Sequence, residues 1–135
     1  MSSDDVEIVR RAYRAWNDGD LEAAADLFDP AIEWHTPPNV PEAGTWRGES
    51  EVRHGIDEFR ESWDELRAEV HEVFEAGDKV VAFVRFRGRS RATGLELEGV
   101  SVDSQVWTVR NRKVVRVEMY PGDEALAALG IERPG

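Results

Sequence analysis

The chain has 135 residues, a net charge of -11 at pH 7 and no cysteine, which excludes disulfides, thiolate nucleophiles and cysteine metal sites. Apolar residues make up 41% and charged residues 33%, a composition typical of a folded domain. The acidic surplus repels phosphate backbones and anionic lipids, so we expect no nucleic acid and no membrane as partner. The length predicts one domain over residues 1–135, with its core at about 6–130.

Three helices are predicted in the N-terminal half. Apolar residues at helical spacing indicate a first helix from Asp4 to Asn17. A second, short helix has Leu21 and Phe28 in its apolar set and is stopped by Asp29-Pro30. The third is predicted from about Glu49 to Leu66, because its apolar residues form a narrow stripe.

Strands dominate the rest of the sequence, where β-branched and aromatic residues alternate with polar ones between turn signals. The predicted strands are Ala31 to Thr36, Arg67 to Glu75, Lys79 to Arg87, Leu95 to Val109 and Lys113 to Tyr120. Because the strands do not alternate with helices, we predict an α+β fold in which three helices cover a curved, mostly antiparallel sheet and enclose a pocket.

The long predicted strand has two different faces. Odd-numbered positions mix polar groups with an indole, namely Ser101, Asp103, Gln105 and Trp107. Even-numbered positions form a valine-rich row, namely Val100, Val102, Ser104, Val106 and Thr108. We predict that the mixed face lines the pocket and that the valine face is buried by a second subunit; the alternative is that the C-terminal tail covers the valines or that their exposure is simply tolerated.

Three stretches of the sequence resemble a known family: VRRAYRAWNDGDLEAAADLFDPAIEWHTP, EAGDKVVAFVRFRG and VWTVRNRKVVRVEMYPGDEALAALG. They are similar to the SnoaL-like family of the nuclear-transport-factor-2-like superfamily. The resemblance implies a cone-shaped α+β barrel, with three helices inside a strongly bent sheet and a pocket at the open end. It also implies a homodimer through the convex face of the sheet, which agrees with a contact at Val100, Val102 and Val106.

The resemblance does not imply one reaction, because relatives include polyketide cyclases, ketosteroid isomerases, epoxide hydrolases and dehydratases. The position of the isomerases' base is occupied by Thr36 here, and their acidic oxyanion donor maps to about Gln105. The epoxide hydrolases' Arg–Asp pair looks like Arg85 and Arg87. Three hypotheses stay open. The first is a cofactor-free cyclase, isomerase or dehydratase using general acid–base chemistry on a ringed apolar substrate. The second is a non-catalytic ligand-binding or accessory dimer, and the third is a purely structural dimer with a filled cone.

Asp103 and His35 are the candidate catalytic residues. Strand parity predicts that Asp103 and Arg85 both face the pocket, where Asp103 is suited to act as a base; the alternative is a structural ion pair. His35 carries protons near neutral pH. If Trp34 faces inward instead, then His35 faces out, and the sequence leaves this register open.

Aromatic side chains are predicted to make the pocket wide and apolar, which suits a small hydrophobic or aromatic ligand. The alternative is a filled core. We expect no cofactor and no metal, since the three histidines lie far apart in sequence. The N-terminal segment has no apolar signal region, so a cytoplasmic location is expected. The predicted ligand-binding residues are Tyr13, Trp16, Trp34, Trp63, Phe83, Arg85, Gln105 and Trp107.

Overall fold

Helices precede most of the strands in the computed structural model, which describes residues 2–35, 45–61, 63–94, 96–97 and 103–132. The helices are α1 Ser2–Asn17, α2 Leu21–Ala25, α3 Glu49–Glu61 and α4 Glu124–Leu129. The strands are β1 Phe28–His35, β2 Thr45–Arg47, β3 Trp63–Ala76, β4 Lys79–Ser90, β5 Glu96–Leu97, β6 Asp103–Arg110 and β7 Lys113–Tyr120. The predicted α+β class is confirmed. None of the helices within these ranges has the length and hydropathy needed to cross a bilayer.

The strands form one mixed sheet in the order β2-β1-β7-β6-β4-β3, with β5 paired to β4. Every pairing is antiparallel except that of β1 with β7. In the described part of the chain the sheet ends at β2 on one side and at β3 on the other, so it is an open cone and not a closed barrel. The sheet is therefore mostly antiparallel, as the sequence predicts.

The two faces of the sheet follow from the register of its central strands. Helix α1 contacts β3, β4 and β6, and we call the face toward α1 the inner face. Val84 lies opposite Asp103, so even-numbered residues of β4 share a face with odd-numbered residues of β6. The inner face of these two strands carries Val80, Ala82, Val84, Asp103, Gln105 and Trp107, and the outer face carries Val81, Phe83, Ser104, Val106 and Thr108.

The end of α1 is fixed to the backbone of β3 by an asparagine. The Asn17 side chain accepts a hydrogen bond from the Ala68 amide at 2.7 Å and donates one to the Ala68 carbonyl at 3.0 Å. A side-chain amide thus pairs with the backbone of β3 much as a neighbouring strand does. Because α1 also carries Tyr13, this contact helps to set where that side chain meets the sheet.

Helix α4 packs on the outer face of the sheet beside Ser104. The Ala125 amide donates to Ser104 Oγ at 3.2 Å, and α4 contacts β6 and β7. Val106, which was predicted to meet a second subunit, has no exposed surface within the single chain. Val100 and Val102 lie outside the described residues, and a homodimer remains a prediction.

Two predicted boundaries are wrong, and strand pairing explains both. Helix α3 ends at Glu61 and not near Leu66, because Trp63 already pairs with Ser90 at the start of β3. Phe28 belongs to β1 and not to the second helix, since it pairs with Val114 of β7. In both places the apolar residues satisfied helical spacing as well as a strand pattern, and the long-range pairing decided between them.

The glycine within α3 lies directly beneath a tryptophan ring. A Cβ atom on Gly55 would lie 2.7 Å from Cε2 of Trp46 and 2.8 Å from its Cδ2. Trp46 lies in β2 opposite Trp34, and its ring packs against the core. Only the absence of a side chain at this position allows α3 and β2 to approach so closely.

We therefore expect Gly55→Ala to destabilise the fold by about 1–3 kcal/mol, the usual cost of overpacking. At a helix position with free space around it, Gly→Ala stabilises the fold by roughly 0.5–1 kcal/mol. The sign of the measured change in unfolding free energy therefore shows whether the added methyl group meets the Trp46 ring. Urea unfolding measures the effect. In a Trp46→Ala background the penalty should disappear, and a penalty that persists there would show that the ring is not its cause.

Candidate functional site

Three buried side chains form a hydrogen-bonded line between α1 and the inner face of β6. Trp107 Nε1 donates to the Tyr13 hydroxyl oxygen at 3.1 Å, and the Tyr13 hydroxyl donates to Gln105 Oε1. All three residues are almost fully buried, with Gln105 only 2% exposed. The line brings together three of the predicted ligand-binding residues.

The direction of this line is fixed by the chemistry of its members. An indole N–H can only donate, and a tyrosine has one hydroxyl hydrogen, which here is given to the Gln105 carbonyl oxygen. The Gln105 amide nitrogen is therefore not the atom bonded to Tyr13, and its N–H groups remain available as donors. Burial raises the pKa of the Tyr13 hydroxyl far above its ordinary value, while the Trp107 hydrogen bond acts in the other direction, so the proton stays on Tyr13.

Aromatic rings surround the line in edge-to-face pairs. The Trp107 ring lies 5.3 Å from that of Tyr13 and 5.9 Å from that of Trp34. Phe28 of β1 extends the group, with its ring 6.3 Å from that of Trp34. Trp34 Nε1 also donates to Met119 Sδ at 3.3 Å, so this indole nitrogen is satisfied inside the fold. The group presents a rigid apolar wall beside the polar line.

Asp103 starts β6 on the same inner face, two residues before Gln105 and so about 7 Å away along the strand. Its side chain is partly exposed, and its Oδ1 accepts a hydrogen bond from the Gly122 amide at 3.2 Å. Burial raises the pKa of the Asp103 carboxyl above its ordinary value, and the Gly122 hydrogen bond lowers it. Asp103 is thus a partly buried carboxyl whose protonated form is more favoured than in a free aspartate.

Arg85 and Phe83 do not join this group, which corrects two predictions. Both lie on the outer face, because odd-numbered β4 residues lie opposite even-numbered β6 residues in the observed register. Phe83 stacks with Phe74, their rings 6.1 Å apart. Arg85 lies across from Glu69 of β3, and its buried Nε has no hydrogen-bond partner in the described part of the chain. The predicted pair of Asp103 with Arg85 is therefore separated by the sheet.

His35 also lies on the outer face, while Trp34 points inward, and this decides the register that the sequence left open. His35 Nε2 lies 3.1 Å from Glu33 Oε1, and its Nδ1 lies 3.0 Å from Thr45 Oγ1. Its neighbour across β7 is Glu118. His35 is thus a strand-end histidine with two side-chain partners, and it cannot act on the inner face.

Two other predicted residues fall apart from the main group. Trp16 packs against Phe86, with ring centres 6.2 Å apart, and the Arg60 guanidinium stacks on its ring at 4.8 Å. This second aromatic pair closes the junction of α1 with β4. Trp63 begins β3, and its side chain lies outside the described part of the structure.

The sequence analysis missed Met119 and Gly122. Met119 faces inward because it lies opposite Gln105, and Gly122 supplies the amide that holds Asp103. Only the Pro121-Gly122 turn signal hinted that the chain bends back at this point. Among the described residues, no three His, Asp or Glu side chains are grouped so as to hold a metal ion.

Comparison with known proteins identifies the family of this fold. A family model described as a SnoaL-like domain matches residues 9–117. The chain belongs to the SnoaL-like family. An NTF2-like protein from Burkholderia thailandensis is 31% identical to this SnoaL-like chain, covering 96% of it and 97% of that chain, with a TM-score of 0.77. A search of the curated proteins found no match.

Two more distant structures share the fold of this SnoaL-like domain and were solved with small molecules. TerC, co-crystallised with polyporic acid, is 22% identical over 93% of this chain and 97% of its own, with a TM-score of 0.76. A hypothetical protein from Catenulispora acidiphila with a ketosteroid isomerase-like fold, in complex with trimethylamine, is 16% identical over 93% and 94% of the two chains, with a TM-score of 0.71. At these identities the likeness shows the fold alone.

Proposed function

We propose that this SnoaL-like domain binds a small, ringed, mainly apolar molecule on the inner face of its sheet and transfers a proton to or from it through Asp103. The observation that carries the proposal is the directed line from Trp107 through Tyr13 to Gln105, which leaves the Gln105 amide nitrogen as a donor. That donor and the Asp103 carboxyl lie on the same face of one strand, and Trp107 of the aromatic wall follows two residues beyond Gln105.

The chemistry that fits these groups is proton abstraction next to a carbonyl. Asp103 as carboxylate takes the proton from the carbon, and the electron pair of that C–H bond moves onto the carbonyl oxygen. The Gln105 amide hydrogen bonds to this oxygen as charge develops on it. Return of the proton from Asp103 to another carbon of the substrate gives an isomerisation. The proposed class is thus a cofactor-free isomerase, cyclase or dehydratase.

A second candidate function is a binding or accessory module with the same ligand and no reaction. The placement of His35 favours it, because this predicted proton carrier lies on the outer face with Glu33 and Thr45. The Tyr13 proton is also committed to Gln105 and is not offered to a ligand. Asp103 is then the one titratable group to which we assign a role in catalysis, and it alone must both accept and return the proton.

The test of the binding step is a thermal-shift and tryptophan-fluorescence screen with ringed ketones, lactones and aromatic acids. A ligand at 100 times its Kd stabilises the folded state by about 2.7 kcal/mol, which such a screen detects. The indole groups of Trp34 and Trp107 are expected to report a ligand on the inner face through a change in emission.

Gln105→Met keeps the volume of the side chain and removes its N–H donor together with the oxygen that accepts from Tyr13. We expect a carbonyl ligand found in the screen to bind roughly tenfold more weakly to this variant. The matched control is an analogue of that ligand without the carbonyl oxygen, whose affinity should not change. Equal losses for both ligands, or no loss for either, would remove Gln105 from the site.

A further inference from the structure

The segment after β7 is attached to two adjacent residues of β6. We call Pro121 to Leu129, which ends with α4, the C-terminal arm. The Gly122 amide of the arm donates to Asp103 Oδ1, and the Ala125 amide donates to Ser104 Oγ, both at 3.2 Å. Because neighbouring residues of a strand point to opposite faces, the arm straddles the start of β6 and is held from both sides.

The outer attachment is the more deeply buried of the two. Ser104 and Ala125 are both 0% exposed, so no water can replace the bond between them. At the inner attachment Asp103 and Gly122 are partly exposed, and a hydrogen bond there competes with solvent. The bond between Ala125 and Ser104 is therefore suited to fix the position of the arm. The bond between Gly122 and Asp103 then depends on that position.

Only a short segment, from Gly122 to Ala125, joins the two attachments, so a movement of one is expected to move the other. Gly122 has a φ of 53°, in the left-handed region where glycine is not strained, and it follows Pro121, whose own φ is fixed. From Gly122 the chain enters α4 within two residues. A shift of Ala125 away from Ser104 consequently moves the Gly122 amide relative to Asp103.

We propose that Ser104 is a positioning residue for Asp103, acting from the opposite face of the sheet through the C-terminal arm. The hydroxyl of Ser104 holds the arm, and the arm holds one oxygen of the Asp103 carboxyl while the other oxygen stays available. The proposal depends on the proposed function only for what Asp103 does with a ligand. Asp123 and Glu124, the charged groups of the arm nearest to this contact, are exposed.

The test is an NMR measurement on the free protein. In Ser104→Ala we expect the Gly122 amide to exchange with solvent about fivefold faster, the factor that follows from losing one ordinary hydrogen bond. The Asp103 carboxyl carbon should titrate at higher pH than in the wild type, because the Gly122 hydrogen bond lowers its pKa. Ser104→Thr keeps the hydroxyl and should restore both values.

The matched control is Thr108→Val, which removes another buried outer-face hydroxyl of β6. Thr108 Oγ1 accepts from Lys79 Nζ and is remote from the arm, so Gly122 and Asp103 should be unaffected. If Ser104→Ala does not fold, Ser104→Cys, with a weaker acceptor of similar size, should shift both values in the same direction. Unchanged Gly122 exchange and Asp103 titration in the folded variant would overturn the proposal.

The outcome is independent of the proposed function, because the measurement needs no ligand. Failure of the ligand screen with a positive NMR result would remove the function and keep the positioning role. If a ligand binds normally while Ser104→Ala changes neither the exchange of the Gly122 amide nor the titration of Asp103, the positioning role is removed and the proposed function is kept.

Discussion

Asp103→Asn is expected to lower the turnover of any substrate found by roughly 10²–10⁴-fold, the range for removing a general acid or base. Asparagine keeps the volume of the side chain and an oxygen to accept the Gly122 hydrogen bond. The substitution thus removes the ability to take up a proton and little else. Steady-state turnover of the variant measures this, and an unchanged rate would exclude Asp103 from the reaction and favour the binding module.

The same variant has an expected effect on stability with a defined sign. Burial raises the pKa of Asp103 in the folded chain, so the folded state disfavours the carboxylate relative to the unfolded state. This group's contribution is most favourable below its unfolded pKa of about 3.9 and is lost as the pH rises through the folded value. We expect Asp103→Asn to be at least as stable as the wild type at pH 7, with the difference vanishing near pH 3.

Tyr13→Phe is expected to destabilise the fold by about 2–4 kcal/mol, because it orphans two buried partners at once. Removal of the hydroxyl leaves Gln105 Oε1 without its donor and Trp107 Nε1 without its acceptor. Both groups lie where water cannot easily replace the bond. Urea unfolding of the variant measures the loss.

The chain contains a matched control for this substitution. Tyr120 is a partly buried tyrosine whose hydroxyl donates to Glu118 at 3.1 Å, at a site open to solvent. Tyr120→Phe makes the same chemical change and should cost less than about 1 kcal/mol, since water can satisfy the carboxylate. Equal effects of the two substitutions would mean that the line through Tyr13 contributes no special stability.

The fold and one face of the site could be predicted from the sequence because they depend on local patterns. Helical spacing located α1, and strand alternation correctly placed Gln105 and Trp107 on one face of β6. The resemblance to the SnoaL-like family predicted the α+β architecture, and the family match over residues 9–117 agrees with it.

Alternation within one strand does not determine the register between neighbouring strands. Arg85 and Asp103 have the same parity, but Asp103 pairs with Val84, and the two side chains consequently lie on opposite faces. A sequence shows the period of a strand and not its offset from a neighbour, and one residue of offset exchanges the faces.

In the hairpin of β6 and β7, a single β-bulge determines which side chains face inward. Asn111 and Arg112 form a two-residue turn with positive φ, which places Val109 opposite Val114. A bulge then shifts the register, so that Met119 and not its neighbour Glu118 lies opposite Gln105. Without this bulge the Glu118 side chain would face the aromatic wall. No motif in the sequence predicts the bulge.

A crystal structure with a ringed ketone from the screen tests the proposed inner-face site most directly. The expected result is a ketone oxygen within hydrogen-bond distance of Gln105 Nε2, with the ring against Trp34 and Trp107 and the adjacent carbon near Asp103. A ligand seated on the outer face, or an inner face filled by side chains between Asp103 and Trp107, would contradict it.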